Sequence, residues 1–425
     1  MLVAVAFVLF FVIGIPVVFV LGLTGLVHIL LSGETAFMMQ IPRKLFNAID
    51  NFNLMAIPFF MLAGELMNHG GIADRLIRLA KIFVGRVRGG LAYVNILASM
   101  LLAAIMGSAT AEASAMSSIM VPAMEREGYD RDFSAAVTVA ASIMGPIIPP
   151  SMVFIIYGVS AGASIGNLFL AGIVPGVLLA IGGSAVVYFV SKKRNFPIQS
   201  DRISAAEAWE AIKSAAPSLL VPVIIVGGIL TGAFTPTESA VIASAVAFIL
   251  GFFFYKELKP RDIFTVLLNT GVTSAAIILI MSTAGIFGWT LAIQQVPQKI
   301  AEMILSVSNN PIVVLILINI LMLVIGMFME TLAAIIILVP VFLPIINYLN
   351  IDPIHFGLVI SLNAVIGLIT PPVGLCLFIG SSIGKVPVER ISRAVIPFVV
   401  SSVAVLLIVT YFPDLVLYIP RLFFN

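Results

Sequence analysis

Apolar residues run along this chain in long blocks, at 1–32, 91–124, 133–160, 168–191, 216–232, 237–255, 262–293, 311–346, 355–380 and 394–412. A membrane-crossing helix takes about 20 consecutive apolar residues, so most blocks, and the segment 53–67, predict one span apiece. The first block is long for one span and short for two, with Gly14 and Pro16 interrupting it. Blocks 91–124 and 311–346 exceed a single crossing, and a small or polar run divides each. Those runs are Gly107-Ser108-Ala109-Thr110-Ala111-Glu112 and Gly326-Met327-Phe328-Met329-Glu330-Thr331. Strands of a membrane barrel alternate polar and apolar residues, which would dilute such blocks. The pattern predicts an all-α polytopic membrane protein.

Composition sharpens this. Of 425 residues, 61% are hydrophobic and 10% charged, against about 25% charged in soluble proteins, which excludes a soluble enzyme. The lone cysteine, Cys376, excludes an internal disulfide framework. Residues 1–32 show neither the basic start nor the cleavage pattern of a removable signal peptide.

The placement of charge says more than its amount. Basic residues cluster at Arg75, Arg78, Lys81, Arg86 and Arg88, at Lys192-Lys193-Arg194, at Lys256, Lys259 and Arg261, and at Lys385, Arg390 and Arg393. Cytoplasmic loops retain Lys and Arg, so all four clusters belong inside. The loops at 160–167 and 231–239 hold one charge, Glu238, and belong outside. Block 91–124 is then flanked by charged, cytoplasmic ends and predicts a re-entrant hairpin with its tip at 107–112. An ordinary span with the following loop outside is the alternative. Block 311–346 becomes a second hairpin, opened from the outside, and the C-terminus ends outside. Residues 195–215 set Asp201, Arg202, Glu207, Glu210 and Lys213 beside Ile203, Trp209 and Ile212, as a helix lying along the cytoplasmic interface does. The layout gives about eleven spans and two hairpins.

The halves repeat. The run 145–150 (GPIIPP) returns as 367–372 (GLITPP), and the same offset carries Gly158 to Gly380, Ser160 to Ser382, Gly162 to Gly384 and Pro175 to Pro397. Val121-Pro122 likewise matches Val339-Pro340. The loop after the first copy is uncharged, whereas its counterpart contains Lys385 and Glu389. This predicts an inverted-topology repeat, a common plan of secondary transporters. The expected units are 1–191, with hairpin 91–124 and broken helix 133–160, and 216–425, with hairpin 311–346 and broken helix 355–380. Residues 192–215 join them.

Proline removes one helical hydrogen bond and clashes with the carbonyl four residues back. Pro149-Pro150 are expected to free the carbonyls of Gly145 and Pro146, and Pro371-Pro372 those of Gly367 and Leu368. Bare carbonyls at membrane depth must meet protein, water or an ion, and Na+ is a hard cation that favours oxygen. One expected cage joins Ser108 and Thr110 to the carbonyls of Gly145 and Ile148. The other joins Gly326 to Gly367, Thr370 and Val373. Simple proline kinking is the alternative. Helix N-termini beyond each break can face an anion. Glu112 and Glu330 stand at the tips, to carry protons, balance cations or hydrogen-bond within the tip. Glu65 and Glu238 fall near interfaces in this layout and read as structural.

Other signals carry less. The run 380–385 (GSSIGK) has three residues rather than four between its glycines, and Val386 where a phosphate loop needs Ser or Thr. His28, His69 and His355 lack ligand spacing, and Gly172/Gly176 and Gly228/Gly232 fit close helix packing. An ion or organic-anion channel is the alternative function. It would need a continuous polar lining, whereas polarity here concentrates at two points.

The runs 107–116 (GSATAEASAM), 119–124 (IMVPAM), 56–65 (AIPFFMLAGE) and 145–151 (GPIIPPS) resemble the large membrane subunit of TRAP transporters, and most of all the sialic-acid type. The resemblance spans essentially the whole chain. It implies a bacterial inner-membrane protein that imports an organic acid by Na+ symport, sialic acid being favoured and a C4-dicarboxylate possible, with two or more coupling Na+ ions. It further implies a periplasmic substrate-binding protein, a small membrane subunit expected as a separate chain because nothing like it precedes Met1, and no nucleic acid. The implied fold is that of divalent-anion/sodium symporters, in which one domain moves as an elevator. Those symporters carry Ser-Asn-Thr at both tips. This chain departs from them, with Ser108-Ala109-Thr110 and Met329-Glu330-Thr331. Substrate contacts are implied around Ala109, Thr110, Ser151, Glu330 and Thr331.

Overall fold

A computed structural model describes residues 2–32, 35–85, 87–198 and 204–423. Every regular element among them is helical. The first block is two short helices, α1 (Leu2–Val12) and α2 (Val17–Ser32), divided at Gly14 and Pro16. Two brief helices follow, α3 (Thr35–Met38) and α4 (Gln40–Asn47), then α5 (Ala56–His69). α4 meets the run Phe52–His69 at a 59° bend. α6 (Ile72–Val84) carries Arg75, Arg78 and Lys81, while Arg86 lies outside the described residues.

The block expected as a hairpin is two arms, α7 (Gly90–Met106) and α8 (Ala109–Arg126). The block expected as a broken helix is likewise two pieces, α9 (Arg131–Ser142) and α10 (Met152–Ala161), followed by the long α11 (Ile165–Lys193). After the join come α12 (Ala205–Ala215), α13 (Leu220–Leu230), α14 (Pro236–Ile249), α15 (Pro260–Ile293) and α16 (Val296–Val307). The same order of elements then recurs: arms α17 (Pro311–Phe328) and α18 (Thr331–Tyr348), pieces α19 (Pro353–Gly367) and α20 (Leu375–Gly384), and the long α21 (Val388–Tyr411). α22 (Pro413–Phe423) ends the described chain.

Seven helical runs are long and apolar enough to cross a membrane, or eight if the bent pair at α4 and α5 is one crossing. That is fewer than the eleven spans expected, and the reason is local. α2, α7, α10, α19 and α20 are apolar but stop within 10–17 residues, short of a full crossing. Residues 205–230 also differ from expectation. α12 opens on a capping box between Ser204 and Glu207 and exposes Trp209 and Ile212, yet it runs through a 3-10 turn into α13 as one apolar run of 26 residues. Asp201, Arg202 and Ile203, expected on its polar and apolar faces, lie outside the described residues.

Packing sorts the helices into two groups. α5 lies against α14 and α15, and α15 against α2 and α4. In the other group α7 and α8 pack on α9, α17 and α18 on α19, and α21 on α9, α11 and α19. The second arm of each half reaches across: α8 packs on α20, and α18 on α10. α19 is apolar on every side and buried from His355 to Gly367, which marks a core helix. Polar links pin this group. The Tyr157 hydroxyl donates to the Pro353 carbonyl at 2.6 Å, and Asn95 donates to Thr138 at 2.6 Å. Asn363 donates to Asn319 at 2.8 Å, and Asn319 to Thr410 at 3.1 Å. Part of the basic charge is paired internally, Arg75 with Glu257 at 2.6 Å and Arg194 with Asp130 and Asp132 at 2.8 and 3.2 Å.

Candidate cation and substrate site

α7 ends because Gly107 turns left-handed, at φ +58°, a conformation glycine adopts without a Cβ penalty. Ser108 then caps α8, its hydroxyl accepting weakly from the Ala111 N–H at 3.5 Å and lying 3.1 Å from the Thr110 hydroxyl. Ser151 caps α10 in the same way, accepting from the Phe154 N–H at 3.2 Å. The two caps are neighbours: a Cβ on Gly107 would stand 3.3 Å from the Pro150 carbonyl oxygen and 3.9 Å from the Met152 nitrogen. At the other tip Glu330 caps α18 with a carboxylate, its Oε2 accepting from the N–H groups of Leu332 and Ala333 at 2.9 and 3.3 Å.

The residues expected in the first cage meet. A Cβ on Gly145 would fall 3.4 Å from the Ser108 carbonyl oxygen and 2.5 Å from Glu112 Oε2. Ile148 is in the turn behind, its N–H bonded to the Met144 carbonyl at 2.9 Å. Glu112 is fully buried and neither carboxylate oxygen makes a hydrogen bond, the approach of Ser99 falling short of bonding geometry. A carboxylate stripped of water and partners is costly, so a cation or a proton is needed here. Two glycines expected in the second cage pack still more closely, since a Cβ on Gly367 would lie 2.5 Å from the Gly326 Cα and 2.7 Å from its carbonyl oxygen. Thr370 follows at the end of α19, and Gly374, next to Val373, donates to the Met327 carbonyl at 3.0 Å. Cys376 is buried on α20, which packs on α8 and α9 of the first half.

The proline argument needs correcting in detail. α9 has already stopped at Ser142 before Pro149 is reached, and the Pro146 carbonyl is taken by the Ser151 hydroxyl at 2.5 Å. In the other half the Gly367 carbonyl accepts from the Thr370 N–H and the Leu368 carbonyl from the Cys376 N–H, both at 3.0 Å. The Pro-Pro pairs, both cis, therefore mark the breaks without leaving all four carbonyls bare. Among the described residues, the carbonyls of Gly145, Ile148 and Gly326 accept no hydrogen bond within the protein.

Between the tips opens a cavity of about 600 Å³. Ala109, Thr110, Glu330 and Thr331 line it, as expected, whereas Ser151 does not; its neighbours Met152 and Val153 take that place. The far wall comes from α5, through Met61, Gly64, Glu65 and Asn68, and from α15, through Thr273 and Ala276. Glu65, read from sequence as an interfacial residue, thus belongs to the cavity. Asn68 and Thr273 were passed over; each is one of several polar side chains on its helix, and nothing in the sequence sets it apart from the others.

Over residues 4–415 the chain matches the family described as tripartite ATP-independent periplasmic transporter, DctM component. It is 40% identical over 410 residues to the sialic acid TRAP transporter large permease protein SiaM of Vibrio cholerae, covering 96% of each chain. It is also 40% identical over 401 residues to the C4-dicarboxylate TRAP transporter large permease protein DctM of Pseudomonas aeruginosa, covering 94% of this chain and 93% of that one. To the isethionate TRAP transporter permease protein DctMQ of Oleidesulfovibrio alaskensis it is 42% identical over 409 residues, covering 96% of this chain and 64% of the other. Among solved structures, the YdaH transporter of Alcanivorax borkumensis superimposes with a TM-score of 0.65 at 15% identity, covering 92% of this chain and 89% of that one, a likeness of fold alone.

Proposed function

The chain belongs to the DctM family of tripartite ATP-independent periplasmic (TRAP) transporters, and on that premise we propose that it is the large permease through which an organic acid enters the cell together with Na+. It is a multi-pass membrane transporter and not an enzyme. The observation that carries the reading is the cavity between the two helix tips, with Gly145 packed against the Ser108 carbonyl and Glu112 behind one tip and Gly367 against Gly326 behind the other. In this reading Ser108, Thr110 and the carbonyls of Gly145 and Ile148 hold one Na+. Gly326, Gly367, Thr370 and Val373 hold the second. Glu112, buried beside Gly145, balances the first charge. The substrate sits among Ala109, Thr110, Glu330 and Thr331, with Ser151 acting from behind by capping α10.

Sialic acid is the favoured cargo and a C4-dicarboxylate the second candidate. Relatives named for each are equally identical to this chain, so identity does not rank them. The expected partners are a periplasmic binding protein that delivers the acid and a small membrane subunit, which is supported by permeases such as DctMQ that extend well beyond the stretch this chain matches. We read residues 1–191 and 216–425 as inverted repeats joined by 192–215. Each contributes a re-entrant hairpin and a broken helix to a body that moves as an elevator against α5, α14 and α15. The recurring order of elements and the crossed packing of α8 on α20 and α18 on α10 support this.

Proteoliposomes holding this chain, the small subunit and the binding protein should accumulate substrate only when Na+ is present outside. Undiminished uptake in sodium-free medium, driven by a proton gradient, would overturn the sodium assignment.

A further inference from the structure

Each wall of the cavity carries one carboxylate, Glu330 on the tip side and Glu65 opposite, and the groups around them differ in a way that bears on which acids fit. On the tip side, α8 and α10 begin with neutral hydroxyl caps, Ser108 and Ser151, and the first-turn Glu112 of α8 is buried against Gly145, outside the lining. Among the described residues, the N–H groups of Ala109, Thr110, Met152 and Val153 find no partner within the protein, and all four residues line the cavity. Two adjacent helix N-termini with unpaired N–H groups favour one negative charge. The third N-terminus in the cavity, that of α18, already has its anion in Glu330. On the opposite wall stand Glu65, Asn68 and Thr273, and the described lining holds no Lys, Arg or His. His69 Nε2 lies 3.6 Å from Glu65, beyond hydrogen-bond length, and is not part of the lining.

We propose that this cavity takes a monoanion, its acid group at the N-termini of α8 and α10 and its remaining length neutral and rich in hydroxyl or amide groups, and that Glu65 turns dianions away. The inference rests on reading the cavity as the substrate site. A carboxylate at the far end of a short diacid would face Glu65 with no cationic side chain between them. Asn68 and Thr273 offer a polyol the donors and acceptors it needs. The class so defined is that of sugar acids and hydroxylated monoacids, not C4-dicarboxylates.

The test measures binding to the permease with its small subunit in lipid nanodiscs in Na+ buffer. N-acetylneuraminate and gluconate serve as monoanions, and succinate and malate as dianions. A monoanion should bind at least about tenfold more tightly than either dianion, the scale of one like-charge encounter across a partly hydrated cavity. Glu65→Gln should shrink that ratio by about tenfold, the dianion gaining more than the monoanion. Asn68→Asp, which adds charge to the same wall, should widen it, and keeps the test intact if Glu65→Gln does not fold. Equal or tighter binding of a dianion by the unmodified protein, or a ratio that neither substitution moves, overturns the inference and leaves the permease reading standing. Failure of all four acids to bind would overturn the reading of the cavity as the substrate site, and the inference with it.

Discussion

At the scale of single residues, the close packing behind both tips is made at glycines. Gly367 has the backbone of Gly326 directly over its Cα, so a methyl group there pushes two helices apart. Gly367→Ala should therefore weaken sodium activation of uptake by tenfold or more, roughly the loss of one good interaction, while membrane insertion is kept. Wild-type sodium dependence in that variant would remove the second proposed Na+ site from the mechanism. Gly145→Ala meets a side-chain tip instead, Glu112 Oε2, and the milder loss expected of it serves as an internal comparison. These glycines were legible because the motif occurs twice. The fate of the carbonyls was not, because a proline shows which N–H is missing but not that the helix has ended several residues earlier, or that Ser151 will fill the gap.

At the scale of elements, buried amides tie each first arm to its neighbouring broken helix: Asn95 on α7 to Thr138 on α9, and Asn319 on α17 to Asn363 on α19 and Thr410 on α21. Hydrogen bonds between membrane helices contribute about 0.6 kcal/mol each and seldom more than about 1.7. Asn319→Ala removes two at once and should lower stability by about 1–2 kcal/mol, read as an earlier thermal transition in detergent. An unchanged transition would show these links to be idle. Hydropathy blocks conceal such residues, since one asparagine barely alters the average over a span. They conceal helix length too. The blocks at 133–160 and 355–380 are apolar throughout, but their chains stop and restart at Ser142 and Met152, and at Gly367 and Leu375. Uninterrupted helices long enough to cross are therefore fewer than the eleven crossings expected, and the Pro-Pro pairs that disclosed the breaks were in plain view.

At the scale of the whole molecule, the group built on α5, α14 and α15 meets the group bearing the tips at a narrow place. A Cβ on Gly64 of α5 would lie 2.6 Å from the Ile105 carbonyl oxygen of α7. In the proposed elevator this contact slides. Gly64→Val should accordingly abolish uptake while sodium binding and insertion persist, and full uptake would argue against movement across that contact. Long apolar blocks and clustered charge disclosed the all-helical plan, and the tip motifs disclosed the family. The far wall of the cavity was hidden, because Glu65 and Asn68 become neighbours of residues 105–111 only once α5 has packed on α7. The unequal caps also set an order in time. α18 is complete without any guest, for Glu330 supplies its missing acceptors from within the chain. On the proposed reading α8 and α10, closed by neutral hydroxyls, leave the N–H groups of Ala109, Thr110, Met152 and Val153 for the carried acid to complete. One tip of the proposed carrier is then finished in advance, and the other is finished by what it carries.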